Sequence, residues 1–162
     1  MIQTVLRAQL PANTEITITG AGTAVRWPRS WPQSTITTLR AAGYGEVSGR
    51  TRRLTGRQVR QATLIITASR AHRGEALALD PTAELRCFTL LESARLLTGL
   101  TPATGGILSS LQTALAAERG EHDDDLDDPA GGSDEDFLAC LQSVQAAVAV
   151  LVGSLSSPPP PE

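Results

Sequence analysis

The sequence predicts an α/β fold with a short parallel sheet, and two observations support this. Residues 63–67 (TLIIT) form a continuous apolar run of the length of a buried parallel strand. Residues 86–89 form a second short strand candidate, and a helical pattern follows each of the two segments. Because strands that alternate with helices usually build a parallel sheet covered by those helices, we expect an α/β domain.

The first sixty residues contain further elements. Residues 1–10 (MIQTVLRAQL) place their apolar side chains on one helical face. Residues 15–19 (EITIT) alternate and are β-branched, which predicts a strand. Residues 33–42 predict a helix that Gly43 ends, and residues 50–60 predict an arginine-rich loop with a short helix.

The second half of the chain is predicted to be mainly helical. Its last helix has the clearest pattern, with Ser133 as N-cap and Asp136 three residues later. The apolar stripe of this helix comprises Phe137, Leu138, Leu141, Val144, Val148, Leu151, Val152 and Leu155. The other predicted elements are helices over residues 70–79, 91–97 and 108–118 and loops over residues 98–106 and 121–132.

Length and composition predict one domain over residues 1–155 and a disordered, proline-rich tail over residues 156–162 (SSPPPPE). No run of 18 apolar residues predicts a membrane span, and no signal pattern opens the chain, so we expect a cytoplasmic protein. Two cysteines among 162 residues make neither a disulfide framework nor a metal cluster.

The net charge of −3 conceals a strong asymmetry. Residues 1–100 contain 13 arginines and 6 acids, whereas residues 101–162 contain one arginine and 11 acids. The basic half therefore favours contact either with the acidic half or with an anionic partner.

Five segments, taken in order and spacing, resemble the low-molecular-weight protein tyrosine phosphatases, especially those of high-GC bacteria. The resemblance covers about residues 1–155. The segments are residues 20–23 (GAGT), 53–55 (RLT), 62–73 (ATLIITASRAHR), 88–97 (FTLLESARLL) and 123–137 (DDDLDDPAGGSDEDF). The family implies a three-layer α/β/α domain that hydrolyses phosphotyrosine or aryl phosphates through a cysteinyl-phosphate, without metal or other cofactor.

This chemistry needs a low-pKa thiolate, a cradle of backbone N–H groups with an arginine, and a carboxylic acid for the leaving oxygen. The resemblance assigns the acid to Asp128, with Pro129 fixing the loop. Read without the family, residues 123–128 are a solvated acidic loop.

The Cys-x5-Arg-Ser phosphate loop of the family is absent from these residues. The sixth position after Cys87 is Ser93, and the sixth after Cys140 is Ala146, so we interpret both cysteines as small buried hydrophobes. The resemblance implies that the chain begins one turn inside the first helix, without the first strand. Residues 15–19 and 63–67 then lack a ladder partner. Two interpretations stay open: the natural start site lies further upstream, or the protein is a degenerate relative of the family.

Aromatic residues of a substrate pocket are scarce. Trp27 and Trp31 follow the GAGT turn, where the family has a wall of the pocket, and they either stack on a substrate ring or pack on the core. Ala130 and Gly131 stand where the family often has an aromatic residue, which weakens the expectation of phosphotyrosine preference.

The histidines and the arginine cluster have less specific interpretations. His72 is predicted to be a helix-surface residue, and His122 to pair with an aspartate or bind a metal weakly. The arginine cluster, in which only Tyr44 is a nearby aromatic, predicts a solvated surface paired with residues 123–128 rather than a nucleic-acid site. It comprises Arg50, Arg52, Arg53, Arg57 and Arg60.

These observations predict a member of this phosphatase family that is inactive as written, either a pseudophosphatase or an N-terminally truncated hydrolase. The implied partners are a phosphotyrosine protein or aryl phosphate and a tyrosine kinase system, with neither nucleic acid nor membrane. The alternative is a non-catalytic, phosphatase-like interaction protein that uses its basic surface or its proline-rich tail.

Overall fold

The structure, a computed structural model, describes residues 1–100, 106–118 and 122–156. Seven α-helices and two strands lie within these ranges, together with a short 3-10 helix, Pro81–Arg86. The helices are α1 (Ile2–Gln9), α2 (Gln33–Ala41), α3 (Gly56–Gln61), α4 (Arg70–Leu79), α5 (Leu90–Leu97), α6 (Gly106–Ala117) and α7 (Asp134–Ser156). The predicted tail from residue 157 onwards lies outside the described residues.

The two strands, β1 (Ile65–Thr67) and β2 (Cys87–Thr89), form a parallel sheet. The register pairs Ile65 with Cys87 and Thr67 with Thr89. The α4 helix and the 3-10 helix connect the strands, as a parallel crossover requires. The predicted α/β class with a short parallel sheet is therefore confirmed, although Thr63, Leu64 and Arg86 fall outside the strands.

The prediction of a strand at residues 15–19 is wrong. This segment has no regular secondary structure in the part of the chain that the structure describes, and Ile16 is 44% exposed. A hydrogen bond from Arg7 Nη2 to the carbonyl oxygen of Ile18, 2.6 Å long, ties it to α1. An alternating pattern becomes a strand only where a neighbouring strand satisfies its backbone groups, and the described sheet offers none here.

Side chains on the two faces of the sheet enter different apolar clusters, because successive strand residues point in opposite directions. Ile65 and Cys87 pack with Val59, Ala76 and Ala83 from α3, α4 and the 3-10 helix. Ile66 and Phe88 enter the larger cluster on the other face. The larger cluster is built mainly by α1, α2, α5, α6 and α7, through residues that include Val5, Leu39, Leu90, Leu111, Leu141, Val144 and Val148.

Local capping signals place several helix ends where the sequence predicts them. Ser69 caps α4, and Thr55 and Thr89 each form a capping box with the residue three positions later. Gly43 follows α2 with φ of 86°, a left-handed conformation that glycine adopts without steric cost.

The stripe of α7 is largely buried as predicted, with Leu141 and Val148 fully inaccessible, but Leu138 is 48% exposed and lies off the core face. The helix is also long and apolar enough, over Asp134–Leu155 with a mean hydropathy of 1.8, to pass as a membrane span by length and composition. Its packing against α1, α2 and α5 gives it a role in the core of this fold.

Candidate functional site

The carboxyl edge of the parallel sheet gathers the polar groups of the candidate site. β1 and β2 end at Thr67 and Thr89, which are paired in register, and α4 and α5 begin directly after them. The N-termini of these two helices therefore lie at the same edge. In open parallel sheets this edge is where ligands usually bind, because the loops and helix N-termini there present free N–H groups.

An acidic loop, residues 122–130, crosses this edge and is hydrogen bonded to both strand ends. The backbone N–H of Leu126 donates to the carbonyl oxygen of Ala68 at 2.9 Å, just beyond β1. The hydroxyl of Thr89, at the end of β2, donates to the carbonyl oxygen of Asp124 at 2.7 Å. The loop is thus an ordered part of the fold, whereas the charge run alone predicts a solvated loop.

A mostly buried ion pair holds the middle of the acidic loop. The Nε and Nη2 atoms of Arg95 donate to the two carboxylate oxygens of Asp124 at 2.9 and 2.6 Å. The side chains of Arg95 and Asp124 are only 30% and 12% exposed, and Glu118 also pairs with Arg95. The hydrogen bonds from Arg95 hold the pKa of Asp124 below its usual range, so Asp124 is a carboxylate at neutral pH.

A second, more exposed arginine holds the loop at the start of α4. The backbone N–H of Arg70 donates to Asp125 at 2.7 Å, and the Arg70 guanidinium pairs with Asp123 and Asp125. The Nε2 atom of His122 lies 3.2 Å from the carboxylate of Glu118, an acid outside the predicted aspartates. The predicted pairing of this loop with residues 50–60 is wrong, because its described partners are Arg70 and Arg95.

Asp128 lies in a tight turn just before α7. Its carboxylate accepts a hydrogen bond from the backbone N–H of Ala130 at 3.0 Å, and its side chain is exposed. Pro129 accepts from the N–H of Gly132, and Gly131 has a φ of 84°, which closes the turn. Ser133 then caps α7 through reciprocal hydrogen bonds with Asp136. This local geometry is the one expected of an Asp-Pro-x-Gly sequence.

The amino group of Met1, the residue before α1, acts on a cysteine of α7. The charged groups that act on the Cys140 thiol are the amino group of Met1 and the carboxylates of Asp128 and Asp127. These three charged groups act on the same thiol in the second turn of α7, and α1 packs along α7. Burial lowers the pKa of the Met1 amino group.

Neither cysteine has the properties of a phosphatase nucleophile. Burial raises the pKa of the Cys87 thiol, whose residue is completely inaccessible in the smaller apolar cluster. Burial also raises the pKa of the Cys140 thiol, and Asp128 and Asp127 act in the same direction. Both groups are therefore protonated at neutral pH, which suits apolar packing and disfavours attack on phosphorus.

The two tryptophans lie in different environments. Trp27 is 79% exposed, whereas Trp31 packs against the larger apolar cluster with its ring against Gly49. A methyl group on Gly49 would lie 3.0 Å from the Trp31 ring, so this contact is close. Their role in binding substrate stays a prediction.

His72 is exposed on α4, and its Nδ1 atom lies 2.8 Å from the hydroxyl oxygen of Ser69. Within the described ranges, no group of three or more histidine, cysteine or acidic residues is arranged to hold a metal ion. The Arg95–Asp124 pair, which fixes the loop, is not predicted from the sequence. Its only signal is Arg95 between the apolar residues Ala94 and Leu96 of α5.

Comparison of this chain with protein-family models, with curated proteins and with solved structures found no match.

Proposed function

We propose that this chain is a member of the low-molecular-weight protein tyrosine phosphatase family, with the three-layer α/β/α fold of that family. The observation that carries the proposal is the placement of the acidic loop, residues 122–130, across the carboxyl ends of the two paired strands, with the Asp128 turn just before α7. In the family that this chain resembles, the Asp-Pro loop that carries the general acid also lies just before the last helix. The loop's hydrogen bonds to both strand ends hold it in that placement.

The proposed reaction is hydrolysis of a phosphotyrosine protein or an aryl phosphate. A cysteine thiolate attacks phosphorus, and the bond from phosphorus to the leaving oxygen breaks while Asp128 gives that oxygen its proton. Water then attacks the cysteinyl-phosphate, giving its proton to the Asp128 carboxylate and releasing phosphate and the thiolate. Trp27 and Trp31 would line the substrate ring, and no metal or cofactor takes part.

The 162 residues contain no Cys-x5-Arg sequence, so we propose that this chain by itself has no turnover. The test is an aryl phosphate hydrolysis assay on the purified chain, with a catalytically competent phosphatase as the positive control. We expect the rate to equal that of buffer. A rate that is above buffer and is abolished by Cys140→Ser or Cys87→Ser would overturn this part of the proposal.

The intact mass of the endogenous protein tests the catalytic form. A mass above 17.0 kDa by roughly 15 residues, about one strand and a loop, would accommodate the phosphate loop. In that longer protein we expect Asp128→Asn to lower kcat about 10²-fold or more, because the leaving oxygen loses its acid. Asp127→Asn is the matched control, since Asp127 is also exposed in the same loop. Equal effects of both substitutions on kcat would contradict the assignment of Asp128 as the general acid.

The second candidate function is that of a non-catalytic, phosphatase-like interaction protein in the cytoplasm. The observation that favours it is that burial raises the pKa of both thiols, Cys87 and Cys140, which disfavours either as a nucleophile. An endogenous mass equal to that of this chain, together with absent turnover, would select this candidate. The protein would then bind the tyrosine kinase that the resemblance implies as a partner, without dephosphorylating any substrate of that kinase.

A further inference from the structure

Two loop segments that are distant in sequence meet on one basic surface. Gly22 bridges to Arg53, and Ser30 bridges to Arg50. Thr51 and Arg29 exchange hydrogen bonds, the Thr51 N–H donating to the Arg29 carbonyl at 2.8 Å and the Arg29 N–H donating to the Thr51 hydroxyl at 3.1 Å. The segment of residues 22–30 thus contacts residues 50–54 at both of its ends. Trp27 lies between these two ends.

The arginines of these segments lack acidic partners. Residues 20–60 contain eight arginines and one acid, Glu46, which pairs with Arg40. Five exposed arginines, together with Trp27, constitute what we call the arginine–tryptophan surface: Arg26, Arg29, Arg50, Arg52 and Arg53. Within the described residues, the ion-paired arginines are Arg40, Arg70, Arg73, Arg86 and Arg95, and none of these belongs to the surface.

A depression with three apolar and three polar lining residues adjoins the surface at Arg53. It has a volume of about 120 Å³ and is lined by Thr23, Arg53, Leu54, Ala78 and Leu79, with Glu75 as its one acidic residue. Leu79 is 45% exposed. Small-molecule sites usually measure about 300–1,000 Å³, so this depression suits a single aliphatic side chain.

We propose that the arginine–tryptophan surface docks an acidic protein segment that inserts one aliphatic side chain into the depression beside Arg53. Charge complementarity selects an acidic occupant, because none of the five guanidinium groups pairs with an acid among the described residues, and that of Arg50 donates only to the Pro28 carbonyl oxygen. Tryptophan and arginine are the residue types that contribute most to protein–protein binding energy. The depression favours a protein over a nucleic acid, which has no aliphatic side chain to bury there. The inference specifies the second candidate function and rests on it.

Binding of short labelled peptides at low ionic strength tests the proposal. The probes are a glutamate-rich peptide with one central leucine, the same peptide with glycine in place of leucine, and an oligothymidylate of equal charge. We expect the leucine peptide to bind most tightly, to change the emission of Trp27, and to weaken as added salt screens the charges.

Single substitutions test whether the peptides bind at the arginine–tryptophan surface. We expect Arg52→Gln to weaken the leucine peptide about fivefold, and Trp27→Ala to weaken it at least as much. Leu79→Ser should affect the leucine peptide and leave the glycine peptide unchanged. Arg40→Gln is the matched control, because it removes the same charge from an exposed arginine outside the surface and should change the affinity by less than about twofold.

Three results would overturn the proposal: equal binding of all three probes, no binding of any probe at low ionic strength, or wild-type affinity in Trp27→Ala. The first result would define a general polyanion surface that includes single-stranded nucleic acid among its ligands. Because the readout is binding, none of these results bears on whether a longer form hydrolyses aryl phosphates. Circular dichroism of each exposed-site variant confirms that the fold is retained.

Discussion

Asp124 and Arg95 show how one ion pair can order a loop in which several other carboxylates face water. Asp124 accepts two hydrogen bonds from Arg95, and its backbone carbonyl accepts a third from Thr89. Asp127 and Asp128 are exposed in the same loop. The residue that anchors the loop is therefore different from the residue that the family resemblance marks as its acid.

We expect Asp124→Asn to lower the free energy of unfolding by about 1–3 kcal/mol, because Arg95 loses a charge-assisted, bidentate partner in a mostly buried position. Glu118 still pairs with Arg95, which keeps the loss below that of an isolated buried charge. Urea denaturation followed by circular dichroism measures the change. Asp127→Asn is the control, with an expected change within about 0.5 kcal/mol, and an equal loss in both variants would contradict the assignment.

The same pair makes a pH-dependent contribution to stability. The pKa of Asp124 is lowered in the folded state, mainly by the hydrogen bonds from Arg95. Its contribution is therefore complete above the unfolded value of about 3.9 and is lost as the pH falls through the lower, folded pKa. We expect the stability difference between wild type and Asp124→Asn to be constant from about pH 7 to pH 5 and to shrink below about pH 4. A stability difference that persists unchanged to about pH 3 would mean that the substitution acts through packing and not through the charge of Asp124.

At the scale of elements, the helices follow from local signals and the strands do not. Helical patterns predict α4, α5 and α7, and Ser133 predicts the start of α7, because a helix satisfies its own backbone groups within a few residues. The segment at residues 15–19 has a strand pattern as good as that of β1, but no strand of the described sheet lies beside it. Pairing depends on distant chain segments, so the pattern alone was insufficient.

The α7 helix gives an element-scale prediction. The hydroxyl of Ser133 accepts a hydrogen bond from the N–H of Asp136, and the Asp136 carboxylate returns one from the N–H of Ser133. Replacing Ser133 by alanine should cost about 1 kcal/mol, because the first turn loses one of these bonds. Thermal unfolding measures it, with Ser143→Ala inside the helix as the control. A loss in Ser143→Ala as large as that in Ser133→Ala would show that the cap is not responsible.

The candidate site was only partly predictable. The Asp128 turn follows from its own residues, since proline fixes one φ and Gly131 adopts a positive one. The arginines that brace the loop, Arg70 and Arg95, lie more than twenty residues upstream. Composition reveals the charge imbalance between the halves of the chain but not which arginine meets which acid. The sequence therefore predicts that residues 50–60 pair with the acidic loop, whereas its described arginine partners are Arg70 and Arg95.

At the scale of the whole molecule, α7 is the element on which the larger cluster depends. It contacts α1, α2, α5 and α6, and Leu141 is completely buried among them. We expect Leu141→Ala to lower the free energy of unfolding by about 2–5 kcal/mol, because it leaves a cavity where several helices meet. Leu138→Ala, at a position that is 48% exposed on the same helix, should cost far less. Chemical denaturation of both variants measures the difference, and similar losses would mean that α7 does not pack as described.

The bracing of the acidic loop also has a kinetic consequence. Loops rich in aspartate normally exchange their amide protons quickly and are cut early by proteases. Here the amide of Leu126 is bonded to Ala68 and the amide of Arg70 to Asp125, so each holds a proton that water reaches only after the loop leaves the sheet edge. We expect these two amides to exchange with deuterium together and much more slowly than the amide of Asp127. The most acidic stretch of the chain would then leave the sheet edge in one cooperative local unfolding step.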